Sequence, residues 1–232
     1  MKKGISNLLL LLFFLSACNQ QDTASEESEK VSTVSQEKRL TIADLNTRAI
    51  AEDSLLETPQ PKNRQLIDDY RHFSNFVDSL YKSDPSKIEL YIKLKGKELP
   101  IRVKNFDSLP DTLEKSYNIY RDTTGTIRYV LESPFNRSGD WLTTFVHYFD
   151  EKGETITFVR TSNFLHSDCT DGTAYEVSAY FFDQQQQLIS KMYELKDQKG
   201  ALLSPATCTF KYRKPYHIFQ NLDELQKTIL IK

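Results

Sequence analysis

Apolar side chains at Leu66, Tyr70, Phe73, Val77 and Leu80 are separated by four, three, four and three residues. That spacing draws one stripe along a helix. Asn63 is placed to cap its start, and Asp84-Pro85 stops it. Aromatic side chains on the stripe point to packing on a sheet, because a coiled coil wants aliphatic residues repeated over several heptads. Beyond Pro85 the period shortens to two. "KIELYIKL" and "LPIRVKNF" flank Lys95-Gly96-Lys97-Glu98 and read as a hairpin.

A turn device then recurs. Asp122/Gly125, Asp150/Gly153 and Asp197/Gly200 each hold Asp-x-x-Gly, and Asp183 opens the same frame with Gln186 at the glycine place. Asp at the first and Gly at the fourth position suit a type I turn whose fourth residue takes a positive φ, with the carboxylate accepting local backbone N–H groups. The runs between turns predict about nine strands, near 88–94, 99–105, 116–121, 126–132, 141–149, 154–161, 174–182, 188–196 and 207–213. The expected class is α+β: one long amphipathic helix followed by an antiparallel β-meander forming a curved sheet. The final "NLDELQKTILIK" adds a short helix or an edge strand.

Several strands carry large side chains on both faces. Trp141, Phe145, His147 and Phe149 share one face against Leu142, Val146 and Tyr148. Tyr180 and Phe182 oppose Tyr175, Val177, Ala179 and Phe181. One face packs on the helix. The other is an apolar patch, and such patches mark ligand grooves or partner surfaces unless residues 41–57 or the C-terminal segment lie across it. Trp141, Phe145, Tyr180 and Phe182 are therefore candidate ligand or partner residues, together with loop 133–140.

The N-terminus follows different rules. "MKKGISNLLLLLFFLSAC" sets two lysines, an apolar run from Leu8 to Leu15, and small residues before Cys18. That is the order of a secretory leader, and the run is far shorter than the roughly 20 residues of a membrane span. Leu15-Ser16-Ala17-Cys18 resembles the lipobox of bacterial lipoproteins. The resemblance implies cleavage before Cys18, acylation of that cysteine by fatty chains such as palmitate, and anchoring in a bilayer. It implies a cell-envelope location, in the outer membrane. Residues 1–17 then form the signal peptide.

From residue 18 to 61 the chain is polar, rich in Ser, Thr, Glu and Gln, and reads as a tether. A marginal helix over 41–57 has only a thin stripe of Ile42, Leu45 and Ala49, and Pro59 and Pro61 punctuate its end. Residues 62–232 suit a single globular domain. The chain carries 30 basic and 32 acidic side chains, a formal charge of −2. Without the two lysines of the leader the balance is about −4, which argues against a nucleic-acid partner.

Export places the remaining Cys169 and Cys208 in an oxidising compartment, where an even pair reads as a disulfide. A tight turn at Asp197–Gly200 stands in tension with that bridge. Register would put Cys208 midway along a paired strand, out of reach of Cys169, unless residues 197–206 make a wider excursion helped by Pro205.

"HSDCTDG", His166 to Gly172, gathers an imidazole, two carboxylates and a thiol. His166 and Asp168 are candidate binding residues in it. Without a CxxC or HExxH motif no metal site is expected, and the loop reads first as a disulfide-pinned polar turn. His72, His147 and His217 are isolated, and His147, on the face of Trp141, Phe145 and Phe149, reads as a hydrogen-bonded or half-exposed sheet histidine. No phosphate-binding glycine loop, G-x-S-x-G elbow or other catalytic motif is present in the sequence, and no cofactor or catalytic residue is expected. Three functions fit. The leading one is a non-enzymatic binding module with an envelope protein partner. The others are a carrier of a lipid or apolar ligand, and a hydrolase or metal-dependent enzyme centred on 166–172.

Overall fold

The computed structural model describes residues 40–47, 64–107, 109–165, 167–208, 210 and 214–230. The compact unit that carries the sheet spans Arg39–Lys232. It is mostly β: one antiparallel sheet of eight strands with few helices. The strands are β1 (Ile88–Leu94), β2 (Ile101–Val103), β3 (Leu113–Arg121), β4 (Ile127–Pro134), β5 (Trp141–Phe149), β6 (Thr155–Phe164), β7 (Ala174–Phe182) and β8 (Leu188–Asp197). Their order in the sheet is β2-β1-β3-β4-β5-β6-β7-β8, so the chain runs as a meander broken only where β2 sits outside β1.

The recurrent aspartates explain the turns. Asp122, Asp150, Asp183 and Asp197 each accept N–H bonds from the second and fourth residues on, at 2.8–3.0 Å. Gly125, Gly153 and Gly200 take φ between 82° and 86°. Gln186 adopts φ 61° in the same frame, at a cost of roughly 1–2 kcal/mol for a non-glycine residue. At Gly153 a second constraint applies, because a Cβ there meets Leu222 Cβ at 3.3 Å.

A ninth strand at 207–213 does not form in the described part of that segment: Thr207, Cys208 and Phe210 are outside any strand. The tight turn and the disulfide coexist. Gly200 N–H bonds Asp197 O at 3.0 Å, and Leu203 N–H then bonds Leu195 O. A second turn, with Thr207 N–H on Ser204 O, ends that pairing after a few residues. Cys208 comes to Cys169 with Cα atoms 4.9 Å apart, and the two are disulfide-bonded. Pairing is thus cut short rather than avoided.

Both faces of the sheet are covered. On one lies α2 (Arg64–Ser83), whose Tyr70, Phe73 and Val77 pack on Tyr129, Val146 and Tyr148, while Ile67 meets Ala179, Phe181 and Ile189. On the other lie two segments from opposite ends of the unit. The first is α1 (Ile42–Asn46), capped by Thr41 and Asp44 in a reciprocal capping box. Ile42 and Leu45 bury against Phe145, Phe158, Tyr180 and Phe182. The sequence allows a marginal helix over 41–57 to lie across this face, and a single turn with two inward aliphatics does so, within the compact unit Arg39–Lys232. Residues 48–57 of the expected marginal helix, the Asn63 cap and most of the tether lie outside the described residues. The second covering segment is the C-terminal run Lys214–Leu230 with α3 (Leu222–Ile229). Phe219, Leu225 and Ile229 pack on Tyr117, Ile119, Ile127, Val130 and Phe149.

Candidate functional site

The inward face beneath these covers is the part of the molecule where chemistry collects. Strand register lines its side chains in rungs. One reads Tyr91, Tyr117, Glu132, Phe145, Arg160, Ser178, Tyr193 across seven strands. The next reads Glu89, Ile119, Val130, His147, Phe158, Tyr180, Lys191.

At the β6–β8 end this face holds a buried ion pair. Arg160 and Glu176 are 2 % and 1 % exposed, with Nη2 and Oε2 3.3 Å apart. Arg160 also donates to Ser178 Oγ at 3.2 Å, and the Tyr193 hydroxyl donates to Glu176 Oε1 at 2.9 Å. The Tyr216 ring lies 5.4 Å from the guanidinium. Buried Lys191 sits 5.5–5.6 Å from the Tyr180 and Tyr193 rings. Buried charges persist only where partners replace lost hydration, and here the covering segment supplies part of that replacement.

In the middle, His147 fastens the C-terminal run. Its Nε2 accepts the Phe219 N–H at 3.1 Å, and Phe158 and Phe219 rings lie 4.9 and 5.3 Å away. Burial, with His217 nearby, pushes the imidazole pKa down to about 3, so the ring is neutral and accepts rather than shuttles a proton. Thr155 reinforces the junction, donating from Oγ1 to Phe219 O at 2.6 Å. Asn46 joins both covers, exchanging two hydrogen bonds with the Ile218 backbone.

At the β1–β5 end the cover stands off and leaves a cleft of about 500 Å³. Its floor is Tyr117, Val130 and Phe145, and its far wall is Phe219, Leu225 and Ile229. Lys93, Lys115, Glu114 and Glu132 border it on the sheet side, and His217 and Thr228 on the other. Lys115 Nζ pairs with Glu132 Oε1 at 2.8 Å. His217 pairs with Glu224 at 3.1 Å. Burial first, then Glu132 and Glu114, raises the Tyr117 phenol well above its ordinary value, so it stays protonated. A few hundred Å³, an apolar floor and convergent polar groups are the anatomy of a small-ligand site.

The residues singled out from sequence fare differently. Trp141, Phe145, Tyr180 and Phe182 do share one inward region but are buried under α1 and residues 214–219. They form no open partner surface, because the covers bring matching apolar side chains to them. Of the four, Phe145 reaches the cleft. Asp168 is exposed on the turn beside the disulfide, and His166 lies outside the described residues. Loop 133–140 is tied down, with Asn136 Nδ2 donating to Trp141 O at 2.8 Å. Among the described residues no group of three or more His, Cys, Asp or Glu is arranged to hold a metal ion, and no helix is long and apolar enough to cross a membrane. Arg160, Glu176, Lys93 and Lys115 went unnoticed in the sequence. The available signal was phase, since Arg160 shares the face of Phe158 and Ser162, and Glu176 that of Ser178 and Tyr180. Comparison of the chain with family models, with curated proteins and with solved structures finds no match.

Proposed function

We propose that this chain is a lipid-anchored lipoprotein of the cell envelope that works by binding, not by turnover, and that the cleft between β1–β5 and the C-terminal segment is its binding site. The observation that carries the reading is the cleft, an apolar floor beneath a rim of charged side chains. Binding is favoured over catalysis because the imidazoles at the cleft are engaged in structure, His147 with Phe219 and His217 with Glu224. In the 166–172 loop the thiol that a nucleophile would need is spent in the bridge to Cys208.

In this reading acylated Cys18 holds the protein to the bilayer and residues 18–39 act as its tether. The finer description of the fold, an α+β unit whose sheet curves around α2, belongs to the same proposal. The partner is an envelope component that exchanges ligand at the cleft, rather than a protein docked on the aromatic face, which is filled. The site lies on the side of the sheet away from α2, so a carrier role does not need sheet and helix to part.

The test uses the full chain with Cys18→Ala, purified without detergent. Native mass spectrometry and organic extraction are expected to find a bound amphiphile near one per chain. Thr228→Trp, an exposed substitution that fills the cleft, is expected to abolish it. An empty protein that also fails to take up a fluorescent amphiphile saturably overturns the reading. Labelling with an alkyne fatty acid, lost in Cys18→Ala, tests the anchor separately.

A further inference from the structure

Resting on that binding site, we infer that the cleft selects a single-chain amphiphile with an anionic head group, held at the Lys93 ammonium. The argument starts from register. Lys93 on β1 lies directly opposite Lys115 on β3, and both side chains border the cleft. Like charges placed opposite one another across an antiparallel pair are destabilising. One of the two is neutralised within the protein, since Lys115 holds Glu132 at 2.8 Å. For Lys93 the described residues supply the backbone carbonyl of Glu98 and no carboxylate.

Lys93 is half-buried as a residue, and an ammonium with a neutral acceptor alone is a point charge set for an anion. Glu114 also borders the cleft, but it is exposed, where water and salt screen its repulsion. Behind the lysines the surface turns apolar through Tyr117, Val130 and Phe145 to Leu225 and Ile229. Charge at the rim and aliphatic or aromatic side chains behind it match the two ends of an amphiphile. At roughly 30 Å³ per water-sized group, the cleft of about 500 Å³ takes about 16 non-hydrogen atoms. That suits one acyl chain, and because the cleft is open at its rim a head group extends from it toward Lys93 and solvent.

The head chemistry is shared by a free fatty acid and a lysophospholipid, so the probes separate them. Laurate, dodecanol, dodecylamine and lysophosphatidylglycerol are titrated into the full chain carrying Cys18→Ala, by displacement of a fluorescent amphiphile. Laurate is expected to bind at least tenfold tighter than dodecanol. Lys93→Met is expected to bring the two within twofold, and Lys93→Arg to keep most of the difference. Tighter binding of lysophosphatidylglycerol than of laurate assigns the head to a phosphate. Equal binding of laurate, dodecanol and dodecylamine, all blocked by Thr228→Trp, overturns the charge inference and leaves the binding site standing. Preference for dodecylamine overturns it in favour of the carboxylates. If no probe binds at all, the binding site falls with it.

Discussion

Lowering the pH should loosen the C-terminal segment through one side chain, His147. Burial and the neighbouring His217 take its pKa from 6.5 to about 3. Between those values the unfolded chain binds a proton that the folded chain refuses, so stability falls as pH falls. Full stability is present above pH 6.5, and the loss stops only near pH 3. At pH 5 the loss from this residue is about 2 kcal/mol, from about 1.4 kcal/mol per pH unit over 1.5 units. Protonation also deprives the Phe219 N–H of its acceptor at 3.1 Å, so the segment over the cleft is the part that opens. The assay is urea unfolding at pH 7.5 and pH 5, for the wild type and for His147→Gln. Glutamine keeps an acceptor for Phe219 and removes the titration. The variant should be less stable at pH 7.5, and the gap should shrink by about 2 kcal/mol at pH 5, since carboxylates titrate alike in both. A gap that changes by less than about 0.5 kcal/mol refutes the reasoning.

Replacing Cys169 and Cys208 together by alanine should cost about 4 kcal/mol, the chain-entropy value for a loop of about 40 residues, read as a drop in urea midpoint that reductant reproduces in the wild type. Arg160→Met should cost about 3–5 kcal/mol because it strands buried Glu176. The double variant Arg160→Met/Glu176→Met should recover much of that, and a double-mutant cycle from chemical unfolding checks the coupling. Ile42→Ala should cost about 2–5 kcal/mol if α1 is part of the core, whereas a solvated tether would lose less than about 0.5 kcal/mol.

The strands were readable because their signals are local. Ile88–Leu94, Trp141–Phe149 and Ala174–Phe182 fall where alternation placed them, and the Asp frames at 122, 150 and 183 close the hairpins β3–β4, β5–β6 and β7–β8. The frame worked even at Gln186, since the Asp183 carboxylate, not the glycine, organises the turn. What failed was long-range. The thin stripe of Ile42 and Leu45 did announce a short helix and a cover for the sheet, but that it docks depends on Phe145, Tyr180 and Phe182 more than a hundred residues later, which periodicity does not reach. The ninth strand failed for the same kind of reason. After Leu203 the local β propensity is overridden by the Ser204–Thr207 turn and the pull of Cys208 to Cys169. Arg160 and Glu176 were passed over because a single charged residue in a strand reads as solvent-facing until a partner at the same depth is known.

The location of the cleft follows from where inward-facing residues change character along the sheet. On β5, β6 and β7 the inward positions include Phe145, Phe158, Tyr180 and Phe182, onto which the covers settle directly, and the mutually paired Arg160 and Glu176. Toward β1, β3 and β4 the same face carries Lys93, Lys115 and Glu132. Arg160 and Glu176 are covered because each meets the other at 3.3 Å, whereas Lys93 finds no carboxylate among the described residues and keeps its head toward water, so a helix closing over it would strand charge. Leu225 and Ile229 of α3 therefore pack on the apolar rungs, Ile119 and Val130, and the cover stands away from the charged ones. A replacement of Lys93, Lys115 and Glu132 by leucine would remove the reason for the gap. By that logic the opening is specified by the sheet rather than left by imperfect packing, and the charges that keep it open are the same ones that face whatever enters.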